Sequence, residues 1–177
     1  RLDPNSAEVY YEVYVARGGV YVLLGEYKKA IADYSHAIRL DPNSAEVYYN
    51  RGVVYKELGE SQKAIADYTQ ALRLNPNFAV VYNNRGIIYL DLGEIQKAIA
   101  DFDQALRLNS NLVYVYNNRG IAYFKLAEFQ QAITDYNQAI RSPVSGLGCL
   151  GRIAAKFSLT PFQCRLLFFL ITYSLMQ

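Results

Sequence analysis

The sequence predicts an all-α chain of helical hairpins repeated in tandem, and three observations predict it. Residue columns recur every 34 positions. Within each period, apolar residues fall at helical spacing in two separate stretches. Glycine marks the middle of the period, and an Asn-Pro or Asp-Pro pair marks its end in the first two repeats.

The columns are dense. Gly18, Gly52, Gly86 and Gly120 are each 34 apart, as are Tyr14, Tyr48, Tyr82 and Tyr116. Tyr21, Tyr55, Tyr89 and Tyr123 keep the same step, and so do Ala30, Ala64, Ala98 and Ala132. Two more columns are Tyr34, Tyr68, Phe102, Tyr136 and Ala37, Ala71, Ala105, Ala139. A fixed period of this length marks a repeat architecture in which one unit cannot cover its own apolar faces and stacked neighbours can.

Taken in order, residues 1–6 match RLDPNS at 39–44 and read as the tail of an earlier repeat. Residues 7–18 carry four more residues than their counterpart 45–52, about one extra helical turn, so the first helix is expected to start early. In the second repeat the spacing predicts a helix from Ala45 to Leu58, stopped by Gly59, a residue free to take positive φ. A second helix follows from Ser61 to Leu74 and ends at Asn75-Pro76-Asn77, because proline disfavours helix in the residue before it. Gly52 and Ala64 are expected to face each other where the two helices approach, with Tyr48, Tyr55 and Tyr68 filling the space around them. In the fourth repeat Ala127 stands in the turn occupied by Gly25, Gly59 and Gly93, which predicts a strained turn. The motif stops after Arg141. All 16 acidic residues lie before that point, and residues 142–177 carry Arg152, Lys156, Arg165 and no acid. This tail contains a six-residue apolar run, Leu166 to Ile171, expected to form a helix capping the last repeat or to make weak interfacial contact with a membrane.

The columns Tyr48, Gly52, Tyr55, Ala64, Tyr68, Ala71 and Pro76 resemble the tetratricopeptide repeat signature, with Tyr48 where that family often has tryptophan. The resemblance covers four repeats, 11–44, 45–78, 79–112 and 113–141, between an N-terminal remnant at 1–10 and the tail at 142–177. It implies a right-handed superhelical solenoid.

Composition excludes several classes of function. The net charge of +2 is too balanced to mark a nucleic-acid binder, and no run of about 18 apolar residues is present to span a membrane. Cys149 and Cys164 form neither a CxxC motif nor a disulfide framework, which suits a reducing, cytoplasmic setting. The single histidine, His36, shares a column with Gln70, Gln104 and Gln138 and reads as a solvated surface residue. Neither cysteine has a candidate base, and Gly146, Gly148 and Gly151 lack the spacing and the Lys-Ser/Thr ending of a phosphate loop. No catalytic residue, metal or cofactor is expected.

In the tetratricopeptide family the first helix of each repeat lines a concave groove. By that resemblance the groove holds Tyr49, Asn50 and Val53, then Asn83, Asn84 and Ile87, then Asn117, Asn118 and Ile121. Lys56, Asp91 and Lys125 flank them. Asn50, Asn84 and Asn118 occupy one slot. An amide carries both donors and an acceptor, so this ladder is suited to holding peptide backbone, as a comparable asparagine ladder does in O-GlcNAc transferases. The alternative is that these asparagines are solvated or cap local backbone. The family's carboxylate clamp for acidic tails is not matched: Val53, Ile87 and Ile121 stand at its asparagine slot, and Glu46, Val80 and Tyr114 stand where lysine would help. Arg17, Arg51, Arg85 and Arg119 repeat in step with Asp33, Asp67, Asp101 and Asp135, and predict structural ion pairs between neighbouring helices. The expected function is a protein–protein interaction scaffold that holds a peptide or helix of a partner. The alternative is a regulatory or substrate-recruiting domain of a larger enzyme.

Overall fold

In the computed structural model, residues 4–141 are described. They form eight α-helices, and no strand occurs among the described residues. The chain divides into two units, residues 1–110 and 111–177. The first holds α1 (Pro4–Leu23), α2 (Tyr27–Leu40), α3 (Ala45–Glu57), α4 (Ser61–Leu74), α5 (Ala79–Asp91) and α6 (Ile95–Leu108). The second holds α7 (Val113–Lys125) and α8 (Phe129–Arg141). The tail expected to cap the array lies outside the described residues.

Each hairpin turns on the same motif. In the second, Gly59 N–H donates to the Lys56 carbonyl and Glu60 N–H to the Tyr55 carbonyl, closing the helix end with Gly59 at φ 74°. Ala127 makes the equivalent bonds, its N–H to Phe124 and that of Glu128 to Tyr123, and takes φ 59° to do so. The strain expected at this turn is therefore present in the backbone. Helix α3 starts at a Ser44 cap whose hydroxyl accepts the Val47 N–H at 3.4 Å.

Helix α1 has 20 residues against 13 in α3, and it does start early. Its first turn contains Pro4-Asn5-Ser6, whereas the identical Pro42-Asn43-Ser44 forms the turn before α3. The same tripeptide takes two conformations, since local propensity is a weak determinant that tertiary context overrides. Asp41 closes α2 through a backbone bond to Ala37, which sets Pro42 outside the helix.

Stacking of hairpins in the first unit buries successive apolar clusters, each shared between one repeat and the next. Ala30, Tyr34 and Ala37 of α2 pack with Val47 and Val54 of α3, so the second repeat covers the first. Ala64, Tyr68, Ala71 and Leu72 of α4 pack in the same way with Val81 and Ile88 of α5. Val47 and Val54 are fully buried, while Val13 and Val20, one period earlier on α1, are about half exposed.

One expected contact is corrected. A side chain on Gly52 would meet the Tyr68 ring at 2.7 Å and the Asp67 Cβ at 3.3 Å, so Gly52 faces Tyr68 instead of Ala64. The reason is offset along the hairpin. The ring, four residues beyond Ala64, abuts the glycine through Cε1 and Cδ1, and Ala64 is buried in the same cluster as Tyr68. Gly18 with Tyr34, Gly86 with Phe102, and Gly120 with Tyr136 repeat the arrangement.

Candidate functional site

On α3, residues 46, 49, 50 and 53 are spaced three and four apart and share one helix face. Tyr49, Asn50 and Val53 are half-buried there, as are Asn84 and Ile87 on α5. The Asn84 amide donates to the Tyr49 hydroxyl at 3.3 Å, linking the first helices of two consecutive repeats. Asn83 donates in turn to the Asn84 side-chain oxygen at 3.2 Å. Tyr49 lies beside Tyr68, with ring centres 6.0 Å apart, and tilts against Phe78 at 5.2 Å. Burial pushes the Tyr49 hydroxyl above the usual tyrosine range, and the Asn84 bond pulls it back.

Two sequence-based expectations change here. Asn83 is only 3% exposed and belongs to the interior. Asn84 is neither free in water nor a backbone cap, because its side chain donates to Tyr49 and accepts from Asn83. In the second unit, Asn117, Asn118 and Ile121 of α7 are likewise half-buried.

The arginine and aspartate columns pair as expected. Arg51 donates through Nε and Nη2 to both carboxylate oxygens of Asp67 at 2.8 Å. Arg17–Asp33, Arg85–Asp101 and Arg119–Asp135 do the same at 2.6–2.8 Å. The bond to Asp67 holds the Arg51 guanidinium above its ordinary range. Two features escaped the sequence reading. Each guanidinium lies between two tyrosines, as Arg51 does between Tyr48 at 5.7 Å and Tyr55 at 5.9 Å. The remaining nitrogen reaches back one repeat, from Arg51 to the Ser35 hydroxyl at 2.9 Å and from Arg85 to Thr69 at 3.0 Å. The signal for the first was available, since the tyrosine columns flank the arginine column by three and four residues. This surplus of tyrosine is structural. His36 is exposed as expected, yet its ring stacks on Tyr14 at 4.8 Å.

An open hollow of about 390 Å³ lies at the start of α3, lined by Glu46, Tyr49 and Asn50 from the helix and by Asn75 and Phe78 from the turn before α5. The turn residues were not visible as site residues in sequence, because they lie on no periodic groove slot. Among the described residues, no group of three or more His, Cys, Asp or Glu side chains is placed to hold a metal, and no helix is long and apolar enough to cross a membrane.

A family model described as tetratricopeptide repeat matches residues 45–78, 79–112 and 113–141, and a second, described as TPR repeat, matches 18–59. The chain belongs to the tetratricopeptide repeat family. No curated protein matches it in sequence. Among solved structures, this tetratricopeptide chain is similar to MamA, at 27% identity and TM-score 0.72, covering 75% of this chain and 77% of that one. A second MamA structure gives 26% identity and TM-score 0.71, covering 88% and 81%. The first TPR of Spaghetti (RPAP3), bound to the HSP90 peptide SRMEEVD, gives 27% identity and TM-score 0.64, covering 71% of this chain and 97% of that one. The fold class is thus the all-α tetratricopeptide solenoid, and the chain is of the type that serves as a protein-interaction scaffold.

Proposed function

We propose that this chain holds a peptide segment or helix of a partner protein along the exposed faces of its first helices, at Tyr49, Asn50, Val53, Asn84 and Ile87, with Asn117, Asn118 and Ile121 as the equivalent residues of the fourth repeat. The observation that carries the reading is the half-buried stripe on α3 and α5, where amide and apolar side chains stay partly exposed, Tyr49 and Val53 while packing against the core. Asn50 and Asn84 supply amide groups for peptide backbone, and Val53 and Ile87 reject highly charged segments. In this reading the chain binds and performs no chemistry. Its partners are proteins and not nucleic acids, and its setting is cytoplasmic, in keeping with two cysteines that form no disulfide framework. The RPAP3 neighbour holds an acidic peptide, but this chain has Val53 and Ile87 at the clamp's asparagine slot, which argues for a different ligand.

The test is titration of a partner, recovered by pull-down with the full chain, against wild type and the triple variant Asn50→Ala, Asn84→Ala, Asn118→Ala. Each net hydrogen bond contributes ~0.5–1.5 kcal/mol, so the triple change is expected to weaken binding about ten-fold or more. Circular dichroism controls for folding, with Asn84→Ala examined alone because it also releases Tyr49. Equal affinity in a folded triple variant removes the ladder from the mechanism.

A further inference from the structure

We infer that the hollow at the start of α3 is a subsite for a basic side chain of the bound peptide, with arginine preferred to lysine. The inference rests on the groove reading above and names the chemistry of the residue recognised.

Three observations carry it. The first is an uncommitted charge. Glu46 is exposed, and among the described residues its carboxylate has neither an ion pair nor a hydrogen bond. The second is the aromatic wall. Tyr49 and Phe78, packed 5.2 Å apart at 46°, both line the hollow together with Glu46. A cation over an aromatic face is attracted by the ring quadrupole, and a planar guanidinium can both stack on a ring and donate bidentately to a carboxylate. The third is sign. No lysine or arginine lines the hollow, and the side-chain oxygen of Asn50 adds a neutral acceptor. Glu12 occupies the slot of Glu46 one repeat earlier, while Lys56, on the same helix, is already engaged with Glu57 at 3.7 Å.

The chain uses the same recognition internally. Arg51 is held by a bidentate carboxylate and two tyrosine rings, and the pattern recurs in every repeat. The hollow offers the same groups, one carboxylate and two rings, with the guanidinium left to the partner. Lysine meets only part of this, because an ammonium neither stacks nor forks.

The probe is the peptide acetyl-Gly-Ser-Arg-Ser-Gly-amide, titrated into the isotope-labelled full chain and followed by backbone amide shifts. Matched peptides carry lysine, or citrulline, which keeps the arginine shape without its charge. The expected result is saturable shifts at residues 46–50 and at Asn75, Asn77 and Phe78, several-fold weaker for lysine and at least ten-fold weaker for citrulline. Glu46→Gln, an exposed change, should weaken the arginine peptide at least five-fold. Phe78→Leu should reduce the arginine preference over lysine. Citrulline binding as well as arginine, shifts centred elsewhere, or indifference to Glu46→Gln would overturn the subsite. If the subsite fails while the partner still loses affinity for the asparagine variant, the groove reading stands without it. If both fail, the groove reading falls too.

Discussion

The ring of Tyr68 occupies the space that a side chain on Gly52 would need: a Cβ there would stand 2.7 Å from Cε1 and 2.8 Å from Cδ1. The glycine column is therefore explained by an aromatic ring that fills the space of the missing side chain, in each of the four repeats.

Gly52→Ala is accordingly expected to destabilise the chain. Alanine gains up to ~1 kcal/mol of helix propensity over glycine. The overpacking cost of ~1–3 kcal/mol outweighs it, because Tyr68 is fully buried and has no room to retreat. Ala64→Leu should cost a similar amount, since Ala64 is also fully buried. Urea unfolding of both variants checks this, and a stabilised Gly52→Ala would contradict the packing.

The four arginine–aspartate pairs should differ in worth according to exposure. The Arg85 side chain is 16% exposed and the Arg17 side chain 52%. Truncating a partner of a buried pair costs ~3–5 kcal/mol, and these pairs are only partly buried, so about 2 kcal/mol is expected for Arg85→Ala. Arg17→Ala should cost less, because water screens that exposed guanidinium. Lys97→Ala removes a surface pair with Glu94 and should leave the melting temperature close to that of wild type. Thermal unfolding of the three variants tests the order.

Tyr68→Phe should stabilise the fold. The Tyr68 hydroxyl is buried with no well-formed hydrogen bond among the described residues: Asn84 is near enough to favour its ionised form slightly, but its amide is directed to Tyr49. The next repeat already has Phe102 in that position, fully buried. Removing an unsatisfied hydroxyl is worth ~1 kcal/mol or more. Burial raises the Tyr34, Tyr49 and Tyr68 hydroxyls above the usual range. An acid whose folded pKa is raised contributes stability below its unfolded value, near pH 10, and loses it as pH rises further. Wild-type stability should therefore fall above about pH 10, and Tyr68→Phe should flatten that fall. Chemical denaturation between pH 8 and 11 distinguishes the two.

Ala127→Gly should relieve the last turn. A left-handed conformation costs a non-glycine residue ~1–2 kcal/mol, and glycine returns ~0.4–1 kcal/mol of that through a freer unfolded chain. A net gain of about 0.5–1 kcal/mol is expected. The reverse change, Gly59→Ala, should lose a comparable amount, since Gly59 has φ 74° and open space around it. Equal melting temperatures for Ala127→Gly and wild type would show that the turn carries no strain.

The last repeat bears on the proposed cap. Ile133 and Ile140 of α8 are 52% and 71% exposed, whereas Ile99 and Leu106, one period earlier, are buried. If residues 142–177 cover this face through Leu166, Phe169 and Leu170, deleting them should promote self-association and lower the melting temperature. A truncated chain that stays monomeric and equally stable by ultracentrifugation and calorimetry would show that the tail is no cap.

Periodicity alone determined the architecture. A 34-residue step specified hairpin number, helix boundaries within a residue or two, the positive-φ turn at Ala127 and the pairing of arginine with aspartate. These are local or strictly repeated properties, and the chain states each of them four times. Which groups meet across a hairpin was decided only in three dimensions. Gly52 was assigned to Ala64 and meets Tyr68, because spacing shows which faces oppose but not their offset along the axis. The role of the asparagines was equally hidden. Asn83 and Asn84 are adjacent and chemically identical, yet a rotation of 100° per residue buries the first and leaves the second half-exposed, bonded to Tyr49. The hollow beside Glu46 exists because a turn brings Asn75 and Phe78 against α3, and no period in the sequence records a contact between a helix and the loop that follows its neighbour.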